Sequence, residues 1–458
     1  MKILSKLFTS DSYNALTRLS RYGMVRGTSF AVDSGYKGIM GKLLSYPVLF
    51  SLAILEIVIA CSLSGTVREA FDTASYISAA DNLQNGHLDL LRTPVYPFFI
   101  WLFRIVFGST WQIALVILQF GAILLSAVYL KKIADRYIAN PKITFWVVAA
   151  YLLWPICLIY YSRQLVTEAF AIAGVVYWVW SLAKTDFRSP NPAAPLLSFF
   201  WLTFLIFLRP VFLYLLPAAF IYYIVAGARM KWKNSRFYAV GLSLTALVCA
   251  LIGLYRYELH REYGINSFTT VTSINNYFTV REAGLRNPDI IKDEALKAII
   301  SQTPRTVNPE DANTEIYLEF WKINDLNKPV EFEAYVQDMM RDNPEAVSRV
   351  MWDRLTKKMP RAMMISVPSD AANRFMPKFA LYWILTGIAF AIFAIQWVKT
   401  KRFPLTTFVL GWVTVGLVVT SGIAAMGEFD RLVYPGNSAL LLLTGYSVKG
   451  ILSLCGRE

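Results

Sequence analysis

Asp72 and Asp81 stand in FDTASYISAADNLQNG, residues 71–86, a polar stretch between two apolar runs. Arg92 and Tyr96 follow in RTPVYPFFIWLF. Arg163 and Glu168 share YYSRQLVTEAF, Arg209 precedes a proline in FLRPVF, and Glu428, Asp430 and Arg431 cluster in MGEFDRLVYPG. Each group borders an apolar segment. A carboxylate within hydrogen-bond reach of a hydroxyl can take its proton as a general base. Guanidinium groups can hold phosphate oxygens and stabilise charge that builds on them. Together, at the edge of an apolar phase, these residue types suit chemistry on an anionic lipid headgroup. His87 and His260 are too sparse for a metal site, and no Asp/Glu spacing specifies a divalent-cation site. No phosphate-loop glycine pattern, HExxH or nucleophile elbow is present.

Each residue also has a plainer reading. Arg209 can snorkel to an interface. Glu168 can cap the helix it opens or pair with Arg163. Glu428 and Arg431 can be solvated loop charges. Glu56, inside an apolar run, is costly there and has no assigned role.

The elements that must position these groups follow from composition. The 458 residues are 56% hydrophobic and 17% charged, with mean hydropathy +0.44. A soluble domain is nearer 45–50% apolar and about 25% charged, so the composition indicates an integral membrane protein. The net charge is +14. Residues 256–374 carry 16 Lys/Arg against 18 Asp/Glu, so the remainder carries +16, mostly in short loops beside apolar segments. That placement fits topology signals and excludes the one-faced patch of a nucleic-acid binder. The four cysteines fall in or beside apolar segments and imply no disulfide framework. The start, MKILSKLFTSDSYNALTRLSRYGMVRG, reads as a basic cytosolic lead-in and not a signal peptide.

A spanning helix needs ~20 apolar residues. Spans are expected near residues 43–61, 112–130, 143–159, 166–182, 194–208, 211–226, 237–254, 379–398, 405–425 and 432–452. The fifth and sixth are short and either tilt or form a hairpin that does not fully cross. Placing the N-terminus in the cytosol puts KKIADRY, AKTDFRS, ARMKWKNSR and VKTKRF there too. Parity then requires TPVYPFFIWLFRIVFG, broken by Arg104 and ended by Gly108, to be an interfacial helix. Three modules result: an N-terminal membrane module (1–254) with a first outer loop (65–110), a mostly helical extracytoplasmic region (255–377), and a C-terminal membrane module (378–458). In the middle region three Asn-Pro-acid starts, at Asn287, Asn308 and Asn343, predict helices. The last is expected to turn Val347, Val350, Met351 and Leu355 to one side and to offer Arg349, Arg354, Lys357 and Lys358 to anionic headgroups. Apart from Glu56, inside the first span, the polar groups singled out above then fall on the extracytoplasmic side.

In that order and on that side, they resemble the GT-C glycosyltransferases, a superfamily that includes lipid A aminoarabinose transferases and protein O-mannosyltransferases. The first outer loop, with its Asp, Tyr, Ala-rich helix and Arg-x-Pro-x-Tyr-Pro element, carries the resemblance. YYSRQLVTEAF, the Arg-Pro turn of LIFLRPVFLYLLPAA, and EFDRLVYPGNSALLLL extend it. The resemblance covers nearly the whole membrane part. It implies a polytopic α-helical GT-C-like fold and transfer of sugar from a polyprenyl-phosphate-linked donor to a lipid, glycan or protein acceptor. It implies Asp72 as the catalytic carboxylate. Many relatives carry a second acid beside the first, where this chain has Thr73. With the chemistry above, Arg163, Arg209 and Arg431 are the donor-phosphate candidates, and Glu168, Arg92, Tyr96 and Glu428 are sugar-binding or orienting candidates. No cofactor is required; a divalent cation has no support in the spacing. The expected location is the bacterial cytoplasmic membrane, with the site facing outward. A glycan-chain ligase or polymerase, and a polytopic lipid or sugar transporter, are the rival readings; a transporter would show an internal repeat, and none is evident.

Overall fold

The computed structural model describes residues 45–70, 72–153, 156–184, 193–233, 235–304, 312–358, 387–388, 390–395, 397–398, 404–424 and 434–454. The chain divides after Val48 into two units. Of the first, only residues 45–48 are described, at the opening of helix α1; all other described residues belong to the second.

Among the described residues the architecture is helical, and the only β contact is an isolated parallel bridge between Arg68 and Gln164. Helix α1 (Tyr46–Ser64) turns Leu49 and Ala53 inward, while Leu52, Leu55, Ile59 and Leu63 are exposed. A helix apolar all round with an uncovered side is what a hydrocarbon solvent permits, since its backbone is satisfied internally. It stops at Gly65, whose φ of +79° is left-handed. Helices α2 (Thr73–Gln84) and α3 (Val95–Phe107) come next, packed on each other. Gly108, at φ +51°, closes α3 before α4 (Trp111–Tyr137) begins, so the chain breaks at Gly108, while the helix runs on through Arg104. Arg104 reaches back to Asp81 of α2 and also lies over the Trp111 ring.

Helix α5 (Pro141–Leu152) is capped by Asn140, whose side chain accepts the Lys142 and Ile143 N–H groups. At ~1.5 Å per residue its twelve residues cover only ~18 Å. The span expected over residues 143–159 is therefore not one regular helix; its later part contains a π-helical turn, Ile156–Tyr161. Helix α6 (Glu168–Ala183) is buried nearly all round, and packs on α4 and on α7 (Ala193–Leu208). Small residues allow this: a methyl added at Gly174 would lie 2.9 Å from Leu205 of α7. Helices α8 (Leu215–Arg229) and α9 (Ser235–Tyr263) come after the 3₁₀ turn Pro210–Tyr214. Five stretches are long and apolar enough to cross a membrane: Tyr46–Ser64, Val95–Tyr137, Pro210–Arg229, Ser235–Tyr263 and Leu405–Ile423. With the shorter apolar helices α5, α6 and α7, they make this a multi-pass membrane protein.

Helices α10 (Thr270–Glu282), α11 (Glu294–Gln302), α12 (Ala312–Asn324), α13 (Pro329–Asp342) and α14 (Pro344–Asp353) form the polar region. They enclose an apolar core that includes Phe278, Leu296, Ile316, Phe332 and Val336. The Asn-Pro starts behave differently from one another. At Asn287 only a 3₁₀ turn forms, and α11 begins later, where Asp293 accepts the Leu296 N–H. Asn308 lies outside the described residues. At Asn343 the helix does form, but the Asn side chain donates to the Met339 carbonyl of α13 instead of capping.

Arg354 corrects the expectation of a headgroup-facing cation. It is fully buried, paired with Glu282 at 3.2 Å, and it donates to Thr279 Oγ1. It also donates to the Ile423 carbonyl in the last turn of α15 (Leu405–Ala424). A helix C-terminus carries unsatisfied carbonyls and a partial negative charge, which draws a cation in. Helix α16 (Asn437–Leu454) packs on α15 and α5.

Candidate active site

Asp72 sits at the N-terminal boundary of α2 and makes no side-chain cap. Its carboxylate is bound by Arg92, Nη2 to Oδ1 at 2.7 Å, with both side chains mostly buried. Arg92 is itself oriented. Its Nε donates to Ser75 Oγ at 2.8 Å, and its guanidinium lies 4.4 Å from the Tyr76 ring centroid. Its backbone N–H donates to Asp89 Oδ1, as does that of Leu91. Asn82 of α2 holds the other Asp89 oxygen at 2.8 Å. The segment from Asn82 to Arg92 is thus folded back so that a residue after α2 meets the residue before it.

A second ion pair lies beside the first. Arg209 Nη1 is 3.2 Å from Oε1 of Glu168, whose side chain is fully buried. Glu168 therefore pairs with Arg209, not with Arg163. Two contacts join the pairs: Thr93, next to Arg92, donates to the carbonyl of Leu208, next to Arg209, at 3.0 Å; Tyr76 and Thr167 hydroxyls stand 3.5 Å apart. Tyr96 lies below, its ring 5.0 Å from Tyr76 and 6.0 Å from Phe170.

The floor is fixed by one buried amide. Gln119, within α4, accepts from the Tyr96 hydroxyl and donates to the carbonyls of Ser162 and Gln164. The chain at 163–165 pairs in turn with Arg68: the Arg68 N–H donates to Arg163 O, and the Leu165 N–H to Arg68 O. Four residues on is Asp72. Arg163 turns the other way. Its guanidinium donates to Ser64 Oγ and to the Ser64 and Gly65 carbonyls at the end of α1.

The structure thus brings Asp72, Arg92, Tyr96, Glu168 and Arg209 together, and sets Arg163 on the end of α1. Glu428 and Arg431 lie outside the described residues. His87 is held by Glu262 at 2.7 Å. Among the described residues no three His, Cys, Asp or Glu side chains come together as a metal site. Sequence reasoning passed over Tyr76, Asp89, Thr93 and Gln119. A lone amide in the apolar run of α4 was the available signal for Gln119, and the three-residue spacing of Asp89 and Arg92 was that for the turn.

The 3₁₀ turn that Arg209 opens ends at Tyr214, about 10 Å further at ~2.0 Å per residue. Tyr214 lines a cavity of ≈ 590 Å³ together with Phe390, Phe393, Trp412, Val419 and Leu443. Its walls are almost wholly apolar.

No protein-family model and no curated protein matches this chain. Solved structures similar to it include two oligosaccharyltransferase structures. One is the archaeal oligosaccharyltransferase AglB from Archaeoglobus fulgidus in complex with an inhibitory peptide and a dolichol-phosphate: 10% identity, TM-score 0.46, covering 89% of this chain and 50% of that one. The other is the apo form of the oligosaccharyltransferase from Archaeoglobus fulgidus: 10% identity, TM-score 0.47, covering 89% of this chain and 51% of that one. The chain spans about half the length of both. At that level of likeness neither substrate nor residue roles transfer.

Proposed function

We propose that this protein is a GT-C-type glycosyltransferase that moves a sugar from a polyprenyl-phosphate-linked donor to a hydroxyl on a lipid, glycan or protein. The observation that carries this reading is the pair of adjoining ion pairs, Asp72–Arg92 and Glu168–Arg209, joined through Thr93. The acceptor oxygen attacks the anomeric carbon while its proton passes to Asp72. The bond from that carbon to the phosphate oxygen breaks, and the electron pair leaves with the phosphate. Direct displacement inverts the anomeric centre. Arg92 aims the Asp72 carboxylate, and Glu168 aims Arg209, whose remaining N–H groups can meet donor oxygens. Tyr96 packs beneath Tyr76 and supports it. Arg431 and Glu428 belong to the same proposal as further donor contacts. Guanidinium supplies the counter-charge for the departing phosphate, and the apolar cavity beyond Tyr214 suits the prenyl tail. The active site faces outward across a bacterial inner membrane in this reading, as parity of the basic loops requires.

Asp72→Asn tests it. Asn keeps size and hydrogen bonds but is no effective base. The variant should fold, bind donor, and lose transfer by roughly 10²-fold or more. Product formation from a purified polyprenyl-phosphate sugar is the measurement. Near-normal transfer would remove the base assignment, and no product from wild type would favour a transporter. Asp81→Asn should be milder, since Asp81 is exposed and bound to Arg104.

A further inference from the structure

Residues 81–92 are exposed or half-buried throughout, so apolar burial alone does not hold the turn that brings Arg92 back to Asp72. The bonds to Asp89 shape that turn from inside and tie it no further than α2. Its ties to the rest of the molecule come from two places far along the chain. One is the end of α9, a helix long and apolar enough to cross a membrane. Glu262 Oε1 stands 2.7 Å from His87 Nδ1, which must be the donor because an ionised carboxylate only accepts. Glu262 Oε2 accepts from the Leu88 N–H at 3.4 Å, and the Tyr263 hydroxyl donates to the Leu88 carbonyl at 2.6 Å. The other place is the first residue of α10. Thr270 donates to the Leu90 carbonyl twice, with its N–H at 2.8 Å and with Oγ1 at 3.0 Å. Leu91, beside it, packs against the apolar core of the polar region.

We infer that Glu262 and Thr270 are positioning residues for the catalytic carboxylate. They fasten the turn at 87–92 to the membrane helix α9 and to the polar region, and so fix Arg92 and, through it, Asp72. This rests on the transferase reading above. Neither residue touches Asp72. Thr270 acts through Leu90, two residues before Arg92, and Glu262 acts through His87 and Leu88. A general base works only within hydrogen-bond reach of the proton it takes, ≈ 2.6–3.2 Å. A misplacement of about 1 Å can cost ~10²-fold in rate. An unfastened turn lets Arg92 swing, and the carboxylate that it holds loses its aim. The second ion pair, Glu168–Arg209, belongs to the packed helices and does not use these ties, so donor binding should not depend on them. The fastening is geometric more than energetic: the His87 and Glu262 side chains are 63% and 27% exposed, and exposed ion pairs add little to stability. The polar region is then part of the catalytic apparatus and not a separate module set on top of it.

The test uses the full-length protein in nanodiscs and two double variants. Glu262→Ala with Thr270→Val removes the carboxylate and the hydroxyl. Glu262→Gln with Thr270→Ser keeps an acceptor for His87 and a donor for Leu90. With a purified polyprenyl-phosphate sugar as donor, the Ala/Val variant should lose kcat about tenfold or more at unchanged donor KM. It should melt with wild type, and the Gln/Ser variant should recover most of the rate. Hydrogen exchange of the amides at 87–92 reads the turn directly and should be faster in the Ala/Val variant. Wild-type kcat in that variant overturns the inference. So does a lost rate with unchanged exchange at 87–92, and so does a loss matched by a lower melting temperature in both double variants, which would make the contacts merely structural. Failure of the transferase reading is separable, because wild type would then form no product. The exchange measurement still decides the fastening in that case: faster exchange upholds it, and unchanged exchange ends it.

Discussion

Glu168 has a fully buried side chain, and the cation beside it is Arg209. Removing one member of a buried pair leaves the other desolvated, at a cost of roughly 3–5 kcal/mol. Arg209→Leu should therefore destabilise the protein by about 3 kcal/mol. Adding Glu168→Gln should recover much of that, because the buried charge is gone. Unfolding of the two single variants and the double variant by denaturant in detergent measures the coupling, and additive losses would show that the pair does not act as a unit. Gln119 makes a different residue-scale case. Gln119→Leu leaves the Tyr96 hydroxyl and the Ser162 and Gln164 carbonyls without their amide. At ~1–3 kcal/mol per buried unsatisfied group, a loss of about 3 kcal/mol is expected, read in the same unfolding assay. A loss under about 0.5 kcal/mol would mean the amide is dispensable.

The turn from Asn82 to Arg92 is the element on which Asp72 depends, and Asp89 is its fastening. Burial pushes the Asp89 carboxyl above its ordinary range, against the N–H groups of Arg92 and Leu91, the Asn82 amide and the Arg92 charge. A group with a raised pKa binds its proton more readily folded than unfolded. Its stabilising contribution is present below the unfolded value, ~3.9, and is lost as pH rises through the folded one. Asp89→Asn cannot titrate. The melting temperature of wild type should therefore rise relative to that of Asp89→Asn as pH falls from about 7 to about 4; a gap that moves the other way would sink the assignment. This element also marks the reach of sequence reasoning. Composition and turn residues located the break at Gly108 and the groups that border the bundle, because hydrophobic pattern and backbone geometry are local. The partners were not local. Glu168 had two readings, and only the packing of α6 on α7 decides that Arg209, forty-one residues on, takes it. Arg354 was misread for the same reason: amphipathic spacing marks it as polar, but the carbonyl and carboxylate that bury it belong to other helices.

Across the whole molecule, orientation rests on charge placement. Parity puts Lys292 outside and Lys231 inside. Cysteines introduced at these exposed positions, in a background without Cys61, Cys157, Cys249 and Cys455, should be labelled and shielded respectively by an impermeant thiol reagent in intact cells. Opposite labelling would place the Asp72 site in the cytosol and end the outward-facing reading. The buried Arg354 carries a consequence for how the chain is made. Its contact at Ile423 is encoded 69 residues later. At ~5–20 residues per second, translation reaches that carbonyl roughly 3–14 s after Arg354 emerges. Until then the polar region has its Glu282 pairing but not its anchor to α15. The nascent polar region is thus left open to proteolysis at the Arg354 turn, and a ribosome that stalls before α15 yields a product that a quality-control protease can tell from the finished protein.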